Sequence, residues 1–129
     1  MPTAREKLDK EVLTLLAEVL VSGEGPPGLS APSRQDRLAA TAALVRIGSE
    51  SWQRYDYWNA VHAYSIGAIL VADDPRPHYN LGLAWERVGD YREARESFRR
   101  TLELDSNFPR AREHHAALMR RAGVDSKQE

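Results

Sequence analysis

The sequence predicts an all-α protein built from repeated helical hairpins, and three observations carry that prediction. Apolar residues recur at helical spacing along most of the chain, and no βαβ pattern occurs anywhere. A segment repeats itself thirty-four residues on: Tyr57 returns as Tyr91, Ala60 as Ala94, Tyr64 as Phe98 and Leu70 as Leu104. Asp56 likewise returns as Asp90, and Ile47-Gly48 as Leu81-Gly82. Small residues recur where helices must approach closely, and large apolar ones where they fill the space between them. Residues that start and stop helices punctuate the pattern at matching places.

Composition narrows the function classes. With 129 residues, 42% apolar and 29% charged, the chain has the make-up of one small helical domain with a real core. A formal net charge of −1 offers no electrostatic reason to expect nucleic acid or an anionic membrane as partner. Without cysteine, disulfide and thiolate chemistry are excluded, which fits a reducing compartment. No run approaches the roughly eighteen apolar residues of a membrane-spanning helix. Glu6, Asp9 and Glu11 make the first residues unlike a signal peptide. A cytoplasmic location is the expectation.

In order along the chain, residues 1–22 read as an amphipathic helix from Thr3 to about Ser22, with Thr3 and Glu6 as its capping box. Leu8, Val12, Leu15, Leu16, Val19 and Leu20 share one face. That face packs on the rest of the chain or on another molecule, and Leu8, Val12, Leu15 and Val19 are its candidate partner or dimer surface. Residues 23–32 (GEGPPGLSAP) are a Pro/Gly linker. Ser33 with Asp36 opens a helix to about Trp52–Tyr55. Leu38, Thr41, Ala42, Val45 and Ser49 form one mild face of it, and Leu44, Ile47 and Gly48 its packing side. Asp56 caps the next helix, Tyr57 to about Ala72. Asp74-Pro75 marks a third start, since proline is tolerated where no N–H partner is needed. That helix runs through Val88 to Gly89, a C-terminal glycine stop. Asp90, with Glu93, opens Tyr91 to Leu104. Asn107-Phe108-Pro109 begins a capping helix to about Arg121, and residues 123–129 are expected to be a disordered tail.

The repeat over 75–108, PRPHYNLGLAWERVGDYREARESFRRTLELDSNF, resembles the tetratricopeptide (TPR) repeat in both period and residue pattern. The resemblance implies a TPR array over 33–122: two repeats, an N-terminal helix and a C-terminal capping helix. It places Trp85 in the core and leaves Trp58 as an exposed aromatic. It also implies a concave face lined by the first helix of each hairpin. From the first hairpin come Val45, Ser49 and Trp52, from the second Arg76, Tyr79, Asn80, Leu83, Glu86 and Arg87, and from the capping helix Arg110, Glu113, His114 and Ala117. Such a mixture suits an extended peptide. The candidates for peptide contact are Val45, Trp52, Arg76, Tyr79, Asn80, Leu83 and Arg110.

Other chemistries find no support in these residues. Gly23, Gly25 and Gly28 spell GxGxxG, but a helix precedes them and two prolines fill the centre, whereas a dinucleotide fingerprint needs a strand before and a helix N-terminus after. His62, His78, His114 and His115 form no HExxH motif. Adjacent His114 and His115 project about 100° apart on a helix, unsuited to one metal ion. Neither GxSxG nor a P-loop occurs. The expectation is no enzyme activity, no metal and no cofactor. The carboxylate-clamp pattern of some TPR proteins falls on Val45, Ser49, Asn80, Arg110 and His114. Only Asn80 matches outright, so the charge-assisted grip on a carboxylate is weakened.

One segment is more particular. Ala60, His62, Tyr64, Ser65, Gly67 and Ala68 spell A-x-H-x-Y-S-x-G-A, followed by the Asp74-Pro75-Arg76 step. This resembles the class II chaperones of bacterial type III secretion, which guard hydrophobic translocators. The resemblance implies a cytoplasmic chaperone whose concave face holds an extended translocator segment until export, without nucleotide. It also implies homodimers formed through the N-terminal part. That family carries three repeats where this sequence shows two, which implies a shorter groove. The alternative is a TPR adaptor subunit in a multiprotein complex.

Overall fold

The computed structural model describes residues 32–123. The expected N-terminal helix with Leu8, Val12, Leu15 and Val19, the linker up to residue 31 and the tail from residue 124 lie outside the described residues. Within them are α1 (Arg34–Gln53), α2 (Tyr57–Leu70), α3 (Pro75–Val88), α4 (Tyr91–Leu104) and α5 (Ala111–Arg121). Helices α1 and α2 form one hairpin and α3 and α4 the next. Helix α2 packs on α3 between the hairpins, and α5 closes the array on α4. This is the expected all-α array, with α5 in the capping position.

Short polar side chains set the helix starts. Ser33 accepts from the Asp36 N–H at 3.1 Å and donates its own N–H to the Asp36 carboxylate at 3.3 Å, the predicted reciprocal box. Asp56, Asp74 and Asp90 cap α2, α3 and α4 by accepting the N–H of Asn59, Arg76 and Glu93. Helix α3 stops at Gly89, whose φ of +88° is open to glycine at little cost. Tyr55 and Arg110 take the same left-handed region, at φ 62° and 68°, to turn the chain into α2 and α5. Helix α2 ends at Leu70, two residues before the expected Ala72. Helix α5 starts at Ala111 because Pro109 and Arg110 still belong to the turn.

The core comes from the repeated positions. Ala60, Val61, Tyr64, Ala84, Trp85, Ala94, Phe98 and Leu118 form one buried cluster. In both hairpins an aromatic ring lies directly on a glycine of the facing helix. A Cβ on Gly48 would stand 2.5 Å from Tyr64, and one on Gly82 would stand 2.7 Å from Phe98. These pairs are thirty-four residues apart in both members, so the sequence repeat is a repeat of this contact. Trp85 is buried as expected, at 5% exposure. Trp58 departs from expectation. It is half-buried, its ring meeting Trp85 edge-on at 5.7 Å between centroids, because α2 faces α3 on that side. Ile47 departs the other way. Expected on the packing side of α1, it is 47% exposed, since its neighbour Gly48 takes the close approach to Tyr64 of α2.

Gly82→Ala tests the ring-on-glycine contact. Alanine gains about 1 kcal/mol in helix propensity. Forcing a methyl into the space of fully buried Phe98 costs about 1–3 kcal/mol or more, so the expected outcome is a net loss. Urea unfolding should show a lower midpoint at unchanged m-value.

A second test concerns Asp74, which is 9% exposed. Hydrogen bonds from Arg76 hold its carboxyl below the usual carboxylate range, against the burial that pushes it up. A lowered folded-state value stabilises the fold above the unfolded-state pKa, and the contribution is lost as pH falls through the folded-state value. Asp74→Ala should therefore cost about 1 kcal/mol near neutral pH. The gap from wild type should narrow as unfolding is measured at pH values below the ordinary carboxylate range.

Candidate peptide-binding groove

The first helices of the two hairpins, α1 and α3, present matching faces to a groove. On α1, Leu38, Thr41, Ala42 and Val45 stand at i, i+3, i+4 and i+7, one helical stripe. On α3, Arg76, Asn80 and Leu83 do the same with Pro77 beside them. Between the stripes lie two adjoining cavities. The larger, about 350 Å³, has the α1 stripe as one wall, Asp74, Arg76, Pro77 and Asn80 as the other, and Phe108 at its edge. The smaller, about 230 Å³, is bounded by Ser49, Trp52 and Gln53 of α1, by Tyr64, and by Asn80 and Leu83 of α3. Asn80 belongs to both and stands between them.

The groove is mostly apolar, with its polar groups confined to a few points. At one end Asp74 is held by the Arg76 guanidinium at 2.6 Å, a pair that leaves no net charge there. In the smaller cavity the Tyr64 hydroxyl and Ser49 Oγ are hydrogen-bonded at 3.3 Å, so the ring that seats on Gly48 carries its polar end to the groove. At the centre the Asn80 amide has no hydrogen-bond partner among the described residues. A primary amide can donate and accept at once, which matches one peptide unit of an extended chain. Beyond the smaller cavity, Trp52 and Tyr57 meet edge-on at 5.1 Å. The Arg87 guanidinium lies 5.2 Å from the Trp52 ring centre and 5.6 Å from that of Tyr57, within cation–π range.

Of the residues expected to contact a peptide, Val45, Arg76 and Asn80 line the larger cavity, and Trp52, Asn80 and Leu83 line the smaller. Tyr79 and Arg110 are not in the lining of these two cavities. Tyr79 packs its ring against Phe98, Phe108 and His114, at 5.7, 5.0 and 5.9 Å between centroids, joining α3, α4 and α5. Burial pushes its phenol pKa up. His114 in turn stacks on Phe98 at 5.1 Å and reaches Glu86 at 3.2 Å. Arg110 is the exposed left-handed residue ahead of α5. Phe108 and Pro77 were not foreseen as groove residues. Phe108 sits in a turn, where no periodicity reports direction. Leu38, Thr41 and Ala42 had a signal, the mild face of α1, although Val45 alone was singled out from it for peptide contact. Among the described residues, no three His, Cys, Asp or Glu side chains gather as metal ligands do, and no helix is long and apolar enough to cross a membrane.

Stacked helical hairpins with a groove along their first helices define a TPR-type helical array, a class whose surfaces serve protein partners. The comparisons with known proteins agree on that fold. Residues 75–108 match the family described as Tetratricopeptide repeat. A solved structure of a mutant form of MamA superposes with a TM-score of 0.60 at 18% identity, covering 92% of this chain and 89% of the other. At that identity the likeness is one of fold. No curated protein matches the chain.

Tyr79 and Asn80 are neighbours in sequence with opposite expected roles in stability. Tyr79→Ala removes a ring from three aromatic contacts, each worth about 0.5–1.5 kcal/mol, and should lower stability by about 2 kcal/mol or more. Asn80→Ala removes an amide with no partner among the described residues and should change stability by no more than about 0.5 kcal/mol. Thermal or urea unfolding followed by circular dichroism checks both.

Proposed function

We propose that the groove holds an extended, apolar segment of a protein partner, and that the chain works as a cytoplasmic secretion chaperone for a membrane-active client. The observation that carries the reading is the pair of adjoining apolar cavities with Asn80 between them. In an extended chain, side chains on one face are about 7 Å apart, with a peptide unit between them. Two apolar side chains can enter the two cavities while the intervening backbone amide pairs with Asn80, the combination that recognises an extended segment by main chain and alternate side chains. Val45 and Leu83 supply apolar wall, Trp52 a broad ring, and Arg76 a donor already pinned by Asp74.

The chaperone role is supported by the run Ala60 to Ala68 and the Asp74-Pro75-Arg76 step, which resemble the class II secretion chaperones. Holding a segment that would otherwise aggregate requires no nucleotide. Binding the client's exposed segment withdraws it from self-association by mass action. In this reading Tyr79 and Arg110 act through the fold around the groove.

Co-expression with a membrane-inserting apolar protein encoded beside this chain, followed by affinity purification and sizing, tests the proposal. The expected result is a soluble complex that is lost, with the chain still folded, when Asn80→Ala is combined with Ala42→Arg, because Ala42 is an exposed residue of the cavity wall. A complex that survives both substitutions would overturn the groove assignment. A neighbour that stays insoluble while this chain co-purifies with soluble proteins would favour an adaptor subunit.

A further inference from the structure

Helix α2 (YWNAVHAYSIGAIL) is apolar almost all round, as a helix is when neighbours cover it on every side. Two of its faces are accounted for. Tyr64 and Gly67 face Gly48 and Thr41 of α1, and Trp58 meets Trp85 of α3. At about 100° per residue, Ile66 falls between these two sides, with Ile69 and His62 beside it toward Trp58 and Leu70 beside it toward α1. Among the described residues, α1 and α3 are the helices packed on α2. His62 lies beside Trp58, 6.4 Å between ring centroids, and Leu70 is packed by Leu38 and Leu44 of α1, which leaves Ile66 and Ile69 as the half-buried remainder of α2. That remainder continues onto α1. Leu44, Ile66 and Ile69 pack around Leu70 and Val71, and Ile47, one turn beyond Leu44, is 47% exposed. The result is an apolar strip along the edge of the first hairpin.

We propose that this strip is the docking surface for the amphipathic segment 3–22 of the same chain, seated in cis, with Leu8, Val12, Leu15 and Val19 facing Leu44, Ile47, Ile66 and Ile69. The inference is independent of what the groove binds. Reach and concentration carry the choice of occupant. The segment joins α1 through residues 23–32, ten residues that can span about 35 Å, against an interaxial distance of about 8–10 Å between packed helices. The chain enters at the right place, since Arg34 and Asp73 pair at 3.1 Å, putting the start of α1 beside the end of α2 and of the strip. A tether of that length sets an effective concentration on the order of mM, which the same segment of a second copy must exceed to compete. A twenty-residue helix is about 30 Å long, enough to cover the roughly 21 Å of fourteen-residue α2. The segment would then stand where a preceding hairpin stands in a longer array.

The absence of cysteine gives a clean background for the test. In the full chain, Ile66→Cys is combined in turn with Leu8→Cys, Val12→Cys, Leu15→Cys and Val19→Cys, with Asp9→Cys and Glu18→Cys as polar-face controls. Dilute protein is oxidised, and the products are resolved by mass spectrometry with two isotopic forms mixed. Disulfides close only where Cβ atoms come within about 4 Å. The expected result is an intramolecular disulfide at one or two adjacent stripe positions, formed at least about tenfold faster than in the controls, because the tether is common to both and only the docked stripe brings Cβ atoms within bonding reach. Ile47→Cys, at an exposed site that tolerates substitution, serves as a second anchor should Ile66→Cys perturb the fold. Disulfides joining the two isotopic forms would overturn the proposal in favour of a second copy on the strip. Reaction no faster than the controls from both anchors would overturn it in favour of another partner.

Discussion

Each hairpin closes through an aromatic ring seated on a glycine, and the rest of the architecture depends on that contact. Tyr64 on Gly48 and Phe98 on Gly82 leave no room for a Cβ, so the helices of each pair approach at the distance a ring's thickness allows. Close-packed interiors transmit such a constraint, because neighbours have no free volume in which to absorb a shift. The two rings then extend the contact in different directions. Tyr64 sends its hydroxyl to Ser49 in the smaller cavity. Phe98 receives Tyr79 from one side and stacks on His114 of α5. Core packing thereby shapes one end of the groove and anchors the capping helix.

The join between hairpins is set by a different force. Asp74 caps α3, Pro75 presets the first helical turn, and Arg76 returns along the turn to the Asp74 carboxylate. Because Asp74 is nearly buried, its charge is tolerated only with those hydrogen bonds in place. Asp74 and Arg76 also line the larger cavity, so the device that turns the chain supplies a paired charge to the groove wall. Ion pairs on the outer face of α4, such as Arg100 with Glu103 at 3.0 Å, lie in water and contribute at most about 1 kcal/mol each. They keep that face solvated while the groove remains apolar.

A groove of this kind favours shape and backbone recognition over charge. In the proposed reading the cavities take apolar side chains and the Asn80 amide addresses one peptide unit; Arg87 lies on Trp52 and Tyr57 at the far end. An apolar, weakly polar-tipped site tolerates varied sequence so long as the segment is extended, as the proposed holding of an unfolded client requires. The edge strip of Leu44, Ile47, Ile66 and Ile69 is a separate surface on another side of α1 and α2, so occupation of one does not compete with the other for the same residues.

Periodicity and helix punctuation were enough to determine, from the sequence, the hairpin order, the aspartate caps, the stop at Gly89 and the recurrence of Gly48 and Tyr64 as Gly82 and Phe98, while the seating of each ring on its glycine came from the structure. These are local or strictly repeated features, and a thirty-four-residue repeat carries its own register. Five of the seven residues expected in the groove also line its cavities, because the first helix of each hairpin faces inward by the geometry of the repeat. Only the tertiary structure decided the remainder. Tyr79 is drawn into the core by Phe98, Phe108 and His114, three rings from elements distant in sequence. Arg110 is an exposed left-handed residue of the turn before α5, and Phe108 is brought to the groove by a turn whose direction no spacing records. Trp58 is half-buried because α3 arrives beside it, and Ile47 stays exposed because a glycine beside it takes the contact. In each case a helical wheel reports which residues share a face. It does not report which neighbour will cover that face.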